Sequence, residues 1–206
     1  MKKTTVLIAD DHSIVRMGLT SLLNSTDRFN VIGEASDGES AIRRANELNP
    51  DVIIMDLMMP RKDGATATAE ILKAHPDCRI LVLTTFGSFN GIARALQAGA
   101  YGALLKNTDN DTLIAALEKV ARAERVIAPE ITMMLKSDPP VPELSRRQKE
   151  FLELLVQGLT NAEIGIALNL QEDSVKKLAN QTFEKIGASN RAQAVAIALR
   201  KHLLKI

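Results

Sequence analysis

The stretch Val52-Ile53-Ile54-Met55-Asp56-Leu57-Met58-Met59-Pro60, followed by Asp63-Gly64, decides the fold. Its opening run of apolar residues is too short for a lone helix and lacks polar alternation, the pattern of a strand buried on both faces. The run breaks at Asp56, which places a carboxylate where the chain leaves the sheet. Pro60 then fixes the loop, and Gly64 permits a backbone turn before the next helix.

Working outward, the same pattern recurs. Residues 6–9, 31–35, 80–83 and 102–105 read as further strands. Segments 13–24, 38–48, 64–74, 90–98 and 110–123 repeat apolar residues at spacings of three and four, as in Ile14, Leu19, Leu22 and Leu23. Strand and helix therefore alternate five times. Right-handed crossovers turn that order into an α/β fold, a (βα)5 doubly wound parallel sheet covered on both faces. In such a sheet, ligands sit beyond the carboxyl ends of the strands.

The periodicity decays after Ala123. Residues 124–142 contain Pro129, Pro139, Pro140 and Pro142 and read as a linker. From Ser145 the chain is purely helical: Ser145-x-x-Gln148 and Thr160-x-x-Glu163 are capping-box patterns, and Gly158 is placed to end the first helix. Helices are expected near 145–157, 160–168, 172–186 and 190–203. The expected organisation is thus 1–123, a linker over 124–142, and an all-α four-helix domain over 143–206.

Composition sets bounds on function. The 206 residues are 46% hydrophobic, enough to build two cores. The net charge of +1 is uneven, with 10 Lys/Arg against 7 Asp/Glu after residue 142 and 16 against 18 before it. That imbalance is too small to argue for nucleic acid unaided. The lone Cys78 excludes an internal disulfide framework, and no apolar run reaches the roughly 20 residues of a membrane span. A cytoplasmic protein without membrane insertion is expected.

Polar residues stand at the ends of the apolar strands. Asp10 and Asp11 follow the first, Asp56 the third, Thr84 the fourth and Lys106 the fifth. One such Asp is ordinarily a turn or a cap, but their recurrence on one rim is a site. Three carboxylates beside a phosphate-sized gap suit Mg²⁺, a hard ion that takes oxygen ligands. Asp56, central between the other acids and Lys106, is the expected nucleophile for in-line phosphoryl transfer. Thr84 could hydrogen-bond the new phosphoryl oxygens, and Lys106 could pair with them. His12 reads as packing or capping rather than as a metal ligand. No Gly-rich phosphate loop follows the first strand, which sets aside a P-loop hydrolase.

Asp10-Asp11-His12, Asp56-Leu57-Met58-Met59-Pro60 with Asp63-Gly64, Leu83-Thr84-Thr85 and Leu104-Leu105-Lys106 resemble, in order, the motifs of response-regulator receiver domains over residues 4–123. The resemblance implies Mg²⁺ held by Asp11, Asp56 and the backbone carbonyl of Met58 with Asp10 assisting, and a histidine kinase as phosphoryl donor. It also marks a departure. Ala103 stands three residues before the rim lysine, where the family usually carries Tyr or Phe, and Tyr101 lies two residues earlier. Met58 and Phe86 are apolar where related proteins use polar residues to place the hydrolytic water, so slow autodephosphorylation is expected.

Leu144-Ser145-Arg146-Arg147-Gln148, Leu159-Thr160-Asn161-Ala162-Glu163-Ile164, Ser174-Val175-Lys176 and Lys185-Ile186-Gly187-Ala188 resemble the LuxR/FixJ-type DNA-binding domain over residues 143–203. The resemblance makes 172–186 the recognition helix, with Ser174, Lys176, Lys177, Asn180 and Gln181 toward double-stranded DNA and Val175, Ala179, Phe183 and Ile186 toward the core. Ala192, Val195, Ala196, Leu199 and Leu203 read as core packing, on a helix that also forms the family's dimer contact. Leu178 replaces a usual histidine, Thr182 a usual aliphatic, and 165–168 lacks the usual arginines, which predicts weak non-specific DNA binding.

The two resemblances imply a transcription factor of the NarL/FixJ type of two-component response regulator, phosphorylated on Asp56, a homodimer on activation, acting at promoter DNA and not a conventional enzyme. The competing expectation is a regulator that has lost DNA recognition and works through protein contacts.

Overall fold

A computed structural model describes residues 3–85, 89–137, 141, 144–201 and 203–204. Phe86, Pro139, Pro140 and Pro142, singled out above, lie outside them. The chain divides into two compact units, one ending at residue 138 and the other beginning at 139.

The first unit contains β1 (Thr4–Ala9), α1 (Ser13–Asn24), β2 (Phe29–Ala35), α2 (Gly38–Leu48), β3 (Val52–Met55), α3 (Gly64–Ala74), β4 (Arg79–Thr84), α4 (Phe89–Gln97), β5 (Gly102–Leu105), α5 (Asn110–Ala121), β6 (Val126–Ile127) and α6 (Pro129–Ser137). All strand pairings are parallel, in the order β2-β1-β3-β4-β5-β6. Alternate residues of each central strand feed opposite faces. Leu7, Ile53, Ile80 and Ala103 pack with Ala41, Ile71, Ile92 and Ile131. Val6, Ile54, Leu81 and Leu104 pack with Leu19, Leu23, Leu113 and Leu117. The sheet is therefore doubly wound, with α1 and α5 on one face and α2, α3, α4 and α6 on the other.

Two expectations for this unit need correction. The stretch 124–142 is not a linker throughout: Val126 and Ile127 pair with Gly102 and Ala103, and the helix that starts at Pro129 buries Ile131 completely in the core. Proline punctuates loops, but it also suits the first turn of a helix, where its missing N–H has no intrahelical partner to lose. Ile14, read with the apolar stripe of α1, is 82% exposed, whereas Leu19 and Leu23 are buried.

The second unit contains α7 (Arg146–Val156), α8 (Asn161–Leu168), α9 (Glu172–Ile186) and α10 (Arg191–Arg200). Both expected capping boxes form: Ser145 with Gln148 and Thr160 with Glu163. Gly158, at φ +90°, takes the chain out of α7 through a conformation that L side chains rarely adopt. Phe151, Leu152, Leu155, Ile164, Val175, Ala179, Ile186 and Ala194 make one core. On α10 the buried residues are Ala194, Ile197 and Ala198; of the expected core set, Val195 and Leu203 pack partly buried against the core, while Ala192, Ala196 and Leu199 are exposed. Both sets keep helical spacing because this helix is apolar almost all round, so periodicity alone could not choose between them.

Candidate functional site

The strands deliver the rim residues to one place. The backbone N–H of Asp56 donates to the carbonyl of Ala9 at 2.8 Å, and that of Asp10 to the carbonyl of Ala35 at 3.0 Å, so the sheet register extends one residue past the strands and fixes both acids. Asp10 and Asp56 are each only 2% exposed. On the far side, the N–H of Lys106 donates to the carbonyl of the fully buried Thr84 at 2.8 Å.

The side chains converge. The ammonium of Lys106 bridges Asp10 Oδ2 at 2.7 Å and Asp56 Oδ2 at 2.8 Å. The other oxygen of Asp56 accepts the N–H of Leu57 at 2.7 Å and, more weakly, that of Met58 at 3.4 Å. Oδ1 of Asp10 accepts the N–H of His12 at 2.9 Å. Asp11 sits at the mouth, its side chain 33% exposed. One ligand atom from each of Asp10, Asp11, His12 and Asp56 lies within 4.8 Å of the others.

The electrostatics follow from this packing. Burial pushes the Asp56 carboxyl above the usual carboxylate range and the nearby Asp10 charge adds to the shift, while the hydrogen bond and charge of Lys106 oppose both. For Lys106, burial pulls the ammonium down, but hydrogen bonds to Asp10 and Asp56 outweigh it and the net shift is upward. Two acids and one cation buried together thus leave a site with negative charge to spare. A hard dication matches that donor set: several carboxylate oxygens converge, and neutralisation is incomplete without a further cation.

The loop beyond Asp56 is set by close approach. A methyl group on Gly64 would meet the carbonyl oxygen of Asp56 at 1.9 Å, and the N–H of Gly64 donates to the carbonyl of Leu57 at 3.0 Å. The left-handed turn falls on Arg61, at φ +62°, and not on Gly64. Arg61 pairs with Asp37, the buried cap of α2, and holds its carboxyl well below the usual range.

His12 occupies the N-cap position of α1, and its carbonyl accepts the N–H of Arg16 at 3.2 Å. It stands at the start of α1 without a side-chain cap hydrogen bond, its side chain 65% exposed. Its Nδ1 lies 2.7 Å from Asp11 Oδ1 and 3.3 Å from Asp10 Oδ1.

Ala103 is fully buried on β5 opposite Val82 and Ile127, and Tyr101 is half-buried against the α1 and α5 face. The two therefore serve different faces of the sheet.

On α9, Val175, Ala179, Thr182 and Ile186 are buried, and Phe183 packs against Phe151 with ring centroids 6.2 Å apart. The hydroxyl of Thr182 donates to the carbonyl of Leu178 at 2.6 Å, which lets a polar residue occupy a core position. Ser174, Lys176, Lys177, Asn180 and Gln181 are all exposed, on an arc of about 160° opposite the buried stripe. Lys176 is tied to its own helix, 3.1 Å from Glu172 and 3.6 Å from Asp173.

Fold and site together define a class, a receiver domain followed by a helix-turn-helix module. Residues 6–118 match the response regulator receiver domain, and residues 142–198 match the LuxR family of bacterial regulatory proteins. The chain belongs to the two-component response regulators whose second domain is of the LuxR type, a family of transcriptional regulators and not of conventional enzymes. It is 35% identical to the transcriptional regulatory protein YdfI of Bacillus subtilis over 98% of either chain. It is 36% identical to the response regulator VraR of Staphylococcus aureus over 97% of this chain and 98% of that one. Among solved structures it is similar to RcsB of Salmonella enterica serovar Typhimurium bound to promoter P1flhDC in the presence of the phosphomimetic BeF3⁻, with a TM-score of 0.67, 26% identity and coverage of 97% and 99%. It is also similar to ChrA of a heme-sensing two-component system, with a TM-score of 0.59, 34% identity and coverage of 99% and 100%. No helix among the described residues is long and apolar enough to cross a membrane.

Proposed function

We propose that the chain is a transcription regulator switched by phosphorylation of Asp56. The observation that carries this reading is the Lys106 ammonium bridging Asp10 and Asp56 at 2.7 and 2.8 Å beside Asp11. A phosphoryl group transferred to Asp56 would arrive beside a cation already in place.

The residues act as follows. Asp56 presents one carboxylate oxygen to the phosphorus of a phosphohistidine on a partner kinase. The new P–O bond forms as the P–N bond breaks, and the electron pair leaves on the imidazole. Leu57 and Met58 hold the other oxygen of Asp56 through their N–H groups, which keeps the nucleophile from rotating. Lys106 releases Asp56 Oδ2 and takes a phosphoryl oxygen instead, and Thr84 offers its hydroxyl. Asp10, Asp11, Asp56 and the carbonyl of Met58 would hold Mg²⁺, which when bound neutralises developing negative charge. Asp10 keeps its bond to Lys106 and so retains the cation at the rim.

The output is binding to promoter DNA through the exposed face of α9. The RcsB relatives were solved on DNA, and this chain presents Lys177, Asn180 and Gln181 in the corresponding kind of helix, with groups suited to phosphates and base edges. Ala192, Ala196 and Leu199 are exposed on α10 at spacings of four and three, an apolar stripe suited to a second copy of the chain. Phosphorylation would favour that homodimer and so place two recognition helices on adjacent half-sites.

The test is acetyl-phosphate labelling of the wild type and of Asp56→Asn, followed by promoter binding with and without beryllofluoride. Labelling confined to the wild type, with tighter DNA binding in the beryllofluoride state, supports the reading. Labelling that survives in Asp56→Asn overturns the site assignment. Absence of DNA binding in both states would move the output to protein contacts.

A further inference from the structure

We infer that Arg16 is a positioning residue for phosphoryl transfer to Asp56: held by Glu34, it fixes the peptide that joins Asp10 to Asp11. The inference rests on the reading of Asp56 as the phosphoacceptor.

The sheet prepares the contact. Val6 pairs with Val31, but Leu7 pairs with Gly33, Ile8 with Glu34 and Ala9 with Ala35, so β2 carries one extra residue, Ile32, against β1. Side chains alternate across a strand, so an unbroken ladder would set Glu34 opposite Ala9, on the face that packs with α2 and α3. The extra residue turns Glu34 to the other face, with Val6 and Ile8, where α1 packs. Bulges recur beside functional sites, where they re-aim a side chain.

Helix α1 completes the arrangement. Arg16 and Thr20 stand one turn apart and both reach Glu34: Nε of Arg16 donates to Oε2 at 3.1 Å, and the Thr20 hydroxyl donates to Oε1 at 2.8 Å. The Arg16 side chain is only 16% exposed, and its Nη1 donates to the backbone carbonyl of Asp10 at 2.7 Å. Asp10 is therefore gripped on both sides, at its N–H by the carbonyl of Ala35 and at its own carbonyl by Arg16. Asp11 leaves that fixed peptide toward the mouth of the pocket. A planar guanidinium holds a carboxylate and a carbonyl together in one rigid fork, which the compact ammonium of a lysine does not reproduce. Without Arg16 the two acids keep their chemistry and lose their common placement. That loss weakens the hold on a dication more than the transfer that follows once the dication is bound.

The experiment uses the full chain as wild type, Arg16→Met, Arg16→Lys, Glu34→Gln and Asp56→Asn, at a temperature where melts show the protein folded. Acetyl-phosphate labelling is followed against Mg²⁺ concentration, and Mg²⁺ titration of the Asp11 and His12 amide resonances reads binding without turnover. Expected for Arg16→Met is a rise of at least about tenfold in the Mg²⁺ needed for half-maximal labelling and for half the amide shift, with the maximal rate regained at saturating Mg²⁺. Arg16→Lys and Glu34→Gln should fall between Arg16→Met and the wild type. A merely structural arginine would lower the rate equally at every Mg²⁺ concentration; that outcome, or an unchanged half-saturation, overturns the role of Arg16. Should Arg16→Met fail to fold, an unchanged half-saturation in Glu34→Gln overturns it as well. If Asp56→Asn is labelled like the wild type, the phosphoacceptor reading fails instead.

Discussion

Gly64 touches Asp56 through backbone alone: a methyl group on its α-carbon would sit 1.9 Å from the Asp56 carbonyl oxygen. The first turn of α3 is thereby pressed against the peptide that carries the proposed phosphoacceptor. Gly64→Ala must push that peptide aside, and overpacking of this kind costs about 1–3 kcal/mol. A lower urea midpoint and a loss of acetyl-phosphate labelling of at least about tenfold are expected. Labelling at the wild-type rate would show that the Asp56 carbonyl yields without disturbing the carboxylate.

Lys106 is the one cation that touches both Asp10 and Asp56 among the described ion pairs, so Lys106→Met leaves two buried acids facing each other. Loss of that cation lifts the folded pKa of Asp56 further than in the wild type, where burial already raises it. A carboxylate with a raised folded pKa contributes stability that is fully present below its unfolded pKa and is lost as pH rises through the folded value. Lys106→Met is therefore expected to cost more stability at pH 8 than at pH 5, which denaturant melts at both values can read. An equal loss at the two pH values would mean that one acid is already neutral in the wild type. Added Mg²⁺ should restore part of the loss at pH 8.

Burial pushes the Cys78 thiol up to about 12, and the residue is only 6% exposed. At neutral pH it carries almost no thiolate, the reactive form. Native protein should resist iodoacetamide for hours and react only as it unfolds, so alkylation rate across a urea series should track the loss of helical signal. Fast alkylation without denaturant would reveal local opening of the segment before β4.

Most of the site was legible because each polar residue interrupts an apolar strand, and strand ends of a parallel sheet share one rim. Asp10, Asp56, Thr84 and Lys106 needed only that rule. The sixth strand was not legible, since Val126-Ile127 is too short to show a period and gains its identity only by pairing with Gly102 and Ala103. The face of α10 was read only in part, because Ala192, Ala196 and Leu199 keep helical spacing just as Ala194, Ile197 and Ala198 do, and only packing separates them. His12, read as packing or capping, stands beside Asp10 and Asp11 in a way that depends on how the start of α1 turns the ring, which composition does not encode.

Met58 is 47% exposed at the mouth of the pocket and offers no group to orient an attacking water. Phosphorylated protein should accordingly lose its label over minutes to hours, and Met58→Asn should shorten that lifetime several-fold. A wild-type half-life of seconds, measured on purified protein after removal of acetyl phosphate, would contradict the argument.

On α9, the proposed recognition helix, Glu172 and Asp173 hold Lys176 at 3.1 and 3.6 Å and add negative charge to the first turn. Each cation that neutralises a phosphate releases counterions, and the slope of log affinity against log salt counts them. With Lys176 engaged by its own helix, the wild type should show a shallow slope. Glu172→Gln with Asp173→Asn frees that ammonium and removes two repulsive charges. The double variant should bind non-specific duplex more tightly at low salt, with a slope steeper by about one. The added Lys176→Ala change should cancel that gain in slope. The measurement is fluorescence anisotropy on a random duplex at several salt concentrations. An unchanged slope in the double variant would mean that Lys176 never approaches a phosphate, and the DNA face of α9 would then have to be built from Lys177, Asn180 and Gln181 without it.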